Sequence, residues 1–295
     1  MNHGHRAESE RQLQPEMVVG GSGTTDPVAA LDASAVKTQT PCGKGRMIWR
    51  SWGSGPTLLL LHGGHGSWTH WIRNIPVLSE RYRLLVPDIP GFGGSDEAAN
   101  PSDPETVAGP IADGLDRWGA GPVSIVGFSF GGVIGSLVAR MRPDLVRSLT
   151  LVGSGGMNLT RPPLRALKDW RKADGPDERD AAHAYNLSVL MIHDPKRVDE
   201  LAIRLQAENT RRARGISRPI SMTPILCDCL PHVEARLSGI WGEQDATAAG
   251  FIDERRQFLQ RLDPEAQFRV IPRAGHWVAY EQPELFNDAV FATLT

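Results

Sequence analysis

Cysteine is scarce in this chain of 295 residues: Cys42, Cys227 and Cys229 are the only three. Three cannot all pair with one another, so a disulfide scaffold is excluded as the source of stability. Cys227-Asp228-Cys229 lacks the CxxC spacing, and no second Cys/His cluster accompanies it to complete a zinc site; ordinary thiols are expected. Long apolar runs are missing too, none approaching the roughly 18 residues of a membrane span. Nor does one sign of charge dominate. With 32 Lys and Arg against 34 Asp and Glu, the net charge of −2 excludes a strongly basic nucleic-acid binder by bulk electrostatics. Residues 1–15 mix His, Arg, Glu and Gln without the apolar stretch of a secretory signal, so a cytoplasmic location is expected. Neither a G-x-x-x-x-G-K loop nor a G-x-G-x-x-G turn after the first strand occurs, and no cofactor or metal is expected.

What the chain has is enough apolar material, 40% of its residues, to bury a substantial core. Residues 1–34 are polar, rich in Gly, Ser, Thr and Ala, and are expected to form a mobile tail. Short strand-like runs follow at 35–40, 47–52, 57–61, 82–86, 123–126, 149–152, 236–241 and 268–271. The run at 57–61 is continuously apolar between Gly55-Pro56 and His62-Gly63-Gly64, which suits a strand buried on both faces. Helix-like segments at 130–141, 251–262 and 283–294 alternate with the later strands. The expected fold class is α/β, a mostly parallel sheet flanked by helices. Residues 158–221 break the alternation with helical patterns at 164–173, 181–192 and 198–214. They read as a helical insertion dividing a core of residues 35–157 and 222–295. Arginines concentrate there, and most are expected on a solvated face.

The sharpest chemical signal is Gly127-Phe128-Ser129-Phe130-Gly131, which follows one strand run and opens a helix. A serine on so tight a turn needs small neighbours two residues away on each side, and Gly127 and Gly131 supply them. The helix start beneath Ser129 also offers N–H groups to an oxyanion. A serine hydroxyl needs a base, and the base an orienting acid. Of nine histidines, only His276, in the loop Gly275-His276-Trp277, has the chain position and setting of a general base. Asp245 lies a few residues past the run at 236–241, where a loop can curl toward that histidine; Glu243 and Asp253 are its competitors. The order Ser129, Asp245, His276 suits this sheet topology. Two N–H groups are expected to form an oxyanion hole, that of Phe130 and that of Gly64 in the loop after the third strand. His65 and Trp68 are candidates for lining the pocket.

The chain resembles the α/β-hydrolase superfamily from residue 47 onward. The motifs that carry the likeness are Leu61-His62-Gly63-Gly64, the segment Asp88-Ile89-Pro90-Gly91-Phe92-Gly93-Gly94-Ser95-Asp96, the serine turn, Gly242-Glu243-Gln244-Asp245 and Gly275-His276-Trp277. The resemblance implies that residues 158–221 are a helical cap over the active site. Serine at position 129 resembles esterases, lactonases, peptidases and carbon–carbon hydrolases, and not the branches that use aspartate there. His276-Trp277, followed by Tyr280-Glu281 and Phe286-Asn287, resembles hydrolases of aromatic ring-fission products. Those enzymes typically carry Asn where this chain has Phe128, and Gly-Pro-Gly where it has Gly64-His65-Gly66. They also hold substrate with a cap arginine, for which Arg204 is the nearest candidate; Trp277 is a further candidate pocket residue. The expected activity is cleavage of a carboxylic ester through an acyl-enzyme. The alternative is carbon–carbon cleavage of a vinylogous diketone, and a third reading is a non-catalytic ligand sensor. The expected partner is a small-molecule substrate, with no nucleic acid and no membrane; a homo-oligomer remains open.

Overall fold

The leucine run at Thr57–Leu61 becomes an inner strand whose side chains are divided between two cores: Leu59 and Leu61 join one apolar cluster, Leu58 and Leu60 the other. That period of two is what a strand covered on both faces requires. The computed structural model describes Met1 and residues 26–294. Its strands are β1 (Val36–Cys42), β2 (Gly45–Trp52), β3 (Thr57–Leu61), β4 (Arg83–Pro87), β5 (Val123–Phe128), β6 (Val146–Val152), β7 (Arg236–Gly242) and β8 (Gln267–Ile271). They form one sheet in the order β1-β2-β4-β3-β5-β6-β7-β8, with β2 antiparallel to both β1 and β4 and every other pairing parallel.

The principal helices are α1 (Pro27–Ser34), α2 (Pro104–Arg117), α3 (Phe130–Met141), α4 (Pro176–Asn186), α5 (Glu200–Arg212), α6 (Ile225–Cys229), α7 (Ile252–Leu262) and α8 (Pro283–Leu294). Buried residues of α2, α3, α6 and α7 belong to the first core, and those of α5 and α8 to the second. Helices therefore cover both faces of the sheet. Residues between β6 and β7 are helical pieces without a strand, and none of the described helices is long and apolar enough to cross a membrane.

Two local expectations are corrected, and one helix adds to them. The helix expected at 164–173 is reduced to a short 3-10 turn, Trp170–Lys172. Pro162 and Pro163 lack N–H donors, and Leu164 and Leu167 line a cavity instead of packing on a neighbour, so no buried face holds a helix there. The tail expected over residues 1–34 ends in α1, which is tied to the core: Arg50 Nε donates to Asp32 at 2.6 Å and Trp52 Nε1 to the Leu31 carbonyl at 3.2 Å. The rest of that expectation, residues 2–25, lies outside the described residues. Helix α2, capped by Asp103, was not anticipated; Gly109, Pro110 and Gly114 interrupt its helical pattern.

Candidate active site

Strand β5 runs straight into α3, and the turn between them places Ser129 at φ 52° and ψ −111°, a conformation that costs a non-glycine residue about 1–3 kcal/mol. The neighbourhood holds it there. Ser129 N–H donates to the Val152 carbonyl at 2.8 Å, and its own carbonyl accepts from Gly132 N–H at 3.1 Å. Gly131 lies directly under the loop that follows β3: a Cβ there would press against the Leu61 carbonyl and stand 2.6 Å from that of His62. Glycine is thus what lets α3 approach β3 so closely.

The expected acid and base converge on this serine. His276 Nε2 lies 3.1 Å from Ser129 Oγ, and its Nδ1 lies 2.9 and 3.0 Å from the two oxygens of Asp245. Asp245 is fully buried. Thr247 clamps it, donating from both its backbone N–H and its hydroxyl to Asp245 Oδ1 at 2.8 Å. Burial pushes the Asp245 carboxyl up, and His276 together with the two Thr247 hydrogen bonds more than reverses this, holding it below its ordinary range. The other two carboxylates considered stand elsewhere: Glu243 accepts from Arg273 N–H at 3.0 Å, and Asp253 pairs with Arg256 at 3.3 Å.

The loop carrying His276 is fixed from the far side by Glu281, a fully buried carboxylate. It accepts the N–H groups of Gly275 at 2.7 Å, His193 at 3.0 Å and Asp194 at 2.7 Å. It thereby joins the histidine loop to the helical insertion. Glu281 is part of the Tyr280-Glu281 likeness in the sequence but had no role assigned to it there, and Thr247 was not singled out. The backbone half of the Thr247 clamp is an Asx-type turn that any residue two after an Asp can complete, so only the hydroxyl half depends on Thr.

Beneath the serine, the Gly63 N–H is taken up by His70 Nδ1 at 3.2 Å. His70 is buried against His62, Phe128 and Trp277; its burial, followed by the neighbouring His62 and His276, keeps it well below the usual histidine range and therefore neutral. It acts as a fixed acceptor that locks the loop. Among the described residues, the Gly64 and Phe130 N–H groups donate to no protein acceptor and remain available.

Ser129, Phe130, Gly64, His65 and His276 all line one cavity of about 380 Å³. The insertion closes it with Leu164, Leu167, Leu190 and Met191 and with Arg161 and Arg218, and Met222 follows directly after it. An adjoining cavity of about 560 Å³ shares Gly64, His65 and Arg218 with it. Burial, then the charges of Arg171 and Arg218, hold His65 below its ordinary range.

Three expected pocket residues are elsewhere. Arg204 points from α5 toward the N-terminal segment and pairs with Asp26 at 2.6 Å. Trp68 packs its ring on Trp52, at 5.6 Å between centroids, under the Arg50 guanidinium. Trp277 is buried, stacked on Tyr280 at 4.3 Å, with Nε1 donating to the His70 carbonyl at 2.9 Å, so it supports the site from behind. The arginines that do reach the cavity, Arg161 and Arg218, were not singled out as ligands.

Residues 56–188 match the family model described as alpha/beta hydrolase fold. A 2-hydroxy-6-oxo-6-phenylhexa-2,4-dienoate hydrolase of Burkholderia cepacia is 28% identical over 251 residues, covering 80% of this chain and 86% of its own. A 2-hydroxy-6-oxononadienedioate/2-hydroxy-6-oxononatrienedioate hydrolase of Comamonas testosteroni is 27% identical over the same shares. Among solved structures, a Bacillus subtilis carboxylesterase superposes with a TM-score of 0.73 at 21% identity, covering 91% of this chain and 96% of its own. This last likeness speaks to the fold alone. The eight-stranded sheet and its flanking helices have the α/β-hydrolase fold, and these matches make the chain similar to proteins of that superfamily.

Proposed function

We propose that the chain is a serine hydrolase in which Ser129 attacks a carbonyl carbon and cleaves a carboxylic ester. The observation that carries this reading is the unbroken relay from Ser129 Oγ through His276 to buried Asp245, opening into a cavity walled by apolar cap residues. Asp245 accepts the Nδ1 proton of His276, which leaves Nε2 free to take the serine proton. The tetrahedral oxyanion is held by the Gly64 and Phe130 N–H groups, each worth about 3–4 kcal/mol in comparable sites. His276 returns its proton to the leaving group, and water activated by the same imidazole releases the acid.

A second reading is favoured by the two dienoate hydrolases that match 80% of the chain. Here Ser129, having given its proton to His276, attacks the ketone of a vinylogous diketone. The carbon–carbon bond breaks to a dienolate whose carbon takes that proton from His276, water activated by the same imidazole hydrolyses the acyl-Ser129, and Arg218 or Arg161 faces the substrate carboxylate. The two readings separate on a substrate panel. For a short p-nitrophenyl ester, Ser129→Ala is expected to lower kcat/KM by at least about 10³-fold; equal activity in wild type and variant contradicts both readings. With 2-hydroxy-6-oxo-6-phenylhexa-2,4-dienoate, loss of the dienoate absorbance under catalytic enzyme selects the second. In that case Arg218→Gln is expected to raise KM for the dienoate about tenfold more than for the neutral ester, the worth of one charge-assisted hydrogen bond.

A further inference from the structure

The helical insertion distributes its charge unevenly. Residues 161–172 contain Arg161, Arg165, Lys168, Arg171 and Lys172 against a single acid, Asp169, and residues 211–218 contain four arginines and no acid. The intervening residues 174–208 are the reverse, with eight Asp and Glu and four Lys and Arg. Of the nine cations in the two basic segments, only Arg171 has a carboxylate within ion-pair reach among the described residues, Asp169 at 3.8 Å. Local acid–base pairing therefore does not account for them.

Exposed apolar side chains fall in the same place. Leu164 is 40% exposed, Leu167 38%, Ile216 38% and Met222 58%, and these are four of the eight large apolar side chains exposed among the described residues. Every one of the four lines either the catalytic cavity or the one adjoining it, interleaved with Arg161, Arg218, Lys168 and Arg171. The rim of the site is thus aliphatic and cationic together. A merely solvated face has no use for the aliphatic half, and a nucleic-acid backbone offers it no partner. An anionic lipid layer matches both halves: cations meet headgroup phosphates while aliphatic tips enter the acyl boundary.

We propose that this face of the cap docks on an anionic phospholipid surface and sets the mouth of the cavity against it. The cavity then draws amphiphilic substrate from that surface. Docking does not depend on which bond Ser129 cleaves, so its test reads binding and not turnover. The full chain is mixed with vesicles of phosphatidylglycerol or of phosphatidylcholine, and bound protein is separated by flotation. Partition onto phosphatidylglycerol is expected to exceed that onto phosphatidylcholine by about tenfold or more, and to fall as salt shortens the screening length. The double variant Arg171→Glu/Ile216→Glu is expected to lose at least about tenfold in partition with its melting temperature unchanged. Leu285→Glu, an exposed leucine on α8 outside both cavities, is expected to bind as wild type. Equal partition onto both lipids, absence of binding, or undiminished binding by the double variant overturns the proposal. So does sedimentation showing a dimer that the same double substitution dissociates, because a second copy then covers the face.

Discussion

Asp245→Asn is expected to lower kcat by about 10⁴-fold while leaving the fold intact. Asn has nearly the shape of Asp, so packing in the buried site is preserved. The damage comes from which end of the amide faces which partner. Thr247 directs two donors at Oδ1, from its N–H and its hydroxyl, each at 2.8 Å. The amide oxygen must therefore occupy the Oδ1 position, which turns the NH₂ toward His276 Nδ1, where Oδ2 now lies at 2.9 Å. An NH₂ there requires Nδ1 to accept, so the ring proton moves to Nε2. Nε2 can then no longer take the proton of Ser129, now 3.1 Å away. A 10⁴-fold loss is the scale of a wrong-tautomer effect in serine hydrolysis generally. Steady-state kinetics with a chromogenic ester, alongside thermal melting, checks it. A fall of less than about tenfold with normal melting would remove Asp245 from the role of orienting acid.

Gly131→Ala is expected to cost about 3 kcal/mol or more of stability. The added methyl would press against the Leu61 carbonyl and lie 2.6 Å from that of His62, and both are backbone. No side chain can rotate away, so either α3 or the loop that carries Gly64 must shift. Activity should fall as well, because the same shift moves one oxyanion donor against the other. Gly109→Ala provides the contrast. It also lies in a helix, but a Cβ there meets nothing within 4 Å, and a gain of about 0.5–1 kcal/mol is expected from propensity and unfolded-state entropy. Urea unfolding of the two variants should move in opposite directions. Equal midpoints would show that the close approach at Gly131 is not the constraint described above.

Much of this was legible in the residues because each element obeys its own period. All eight strand runs were recognisable, the inner ones such as Thr57–Leu61 as continuous apolar segments and the edge ones as short runs with alternating apolar and polar residues, and the serine turn announced itself by glycines that sterics require. Other features left weaker traces. Helix α1 is only eight residues long and fully buries none of them, although Val28 and Leu31 pack partly against the second core, so its few apolar positions did not mark it off from the stretch before it. What holds it is a set of contacts to Arg50 and Trp52, distant in sequence. The 164–173 segment has helical spacing, yet its leucines serve a cavity, and spacing alone cannot tell a packed face from a lining one. The same limit explains the arginines. Arg204 and Arg218 are equally cationic, and which faces the cavity depends on how the helical insertion sits on the core. Trp68 and Trp277 are large aromatics in the loops carrying Gly64 and His276, but their bulk is used to fill space behind those loops. Burial of aromatic area is the commoner use of such residues.

The central role assigned to Ser129 is tested most directly by reaction with a fluorophosphonate, which traps an activated serine covalently, followed by mass spectrometry of the intact protein and its peptides. The expected result is one equivalent of phosphonyl group on the peptide containing Ser129, loss of ester hydrolysis in step with labelling, and labelling slowed by at least about 10²-fold in His276→Ala. Hydrolysis that persists with Ser129 fully modified, or a label carried by another residue in step with lost activity, would contradict it.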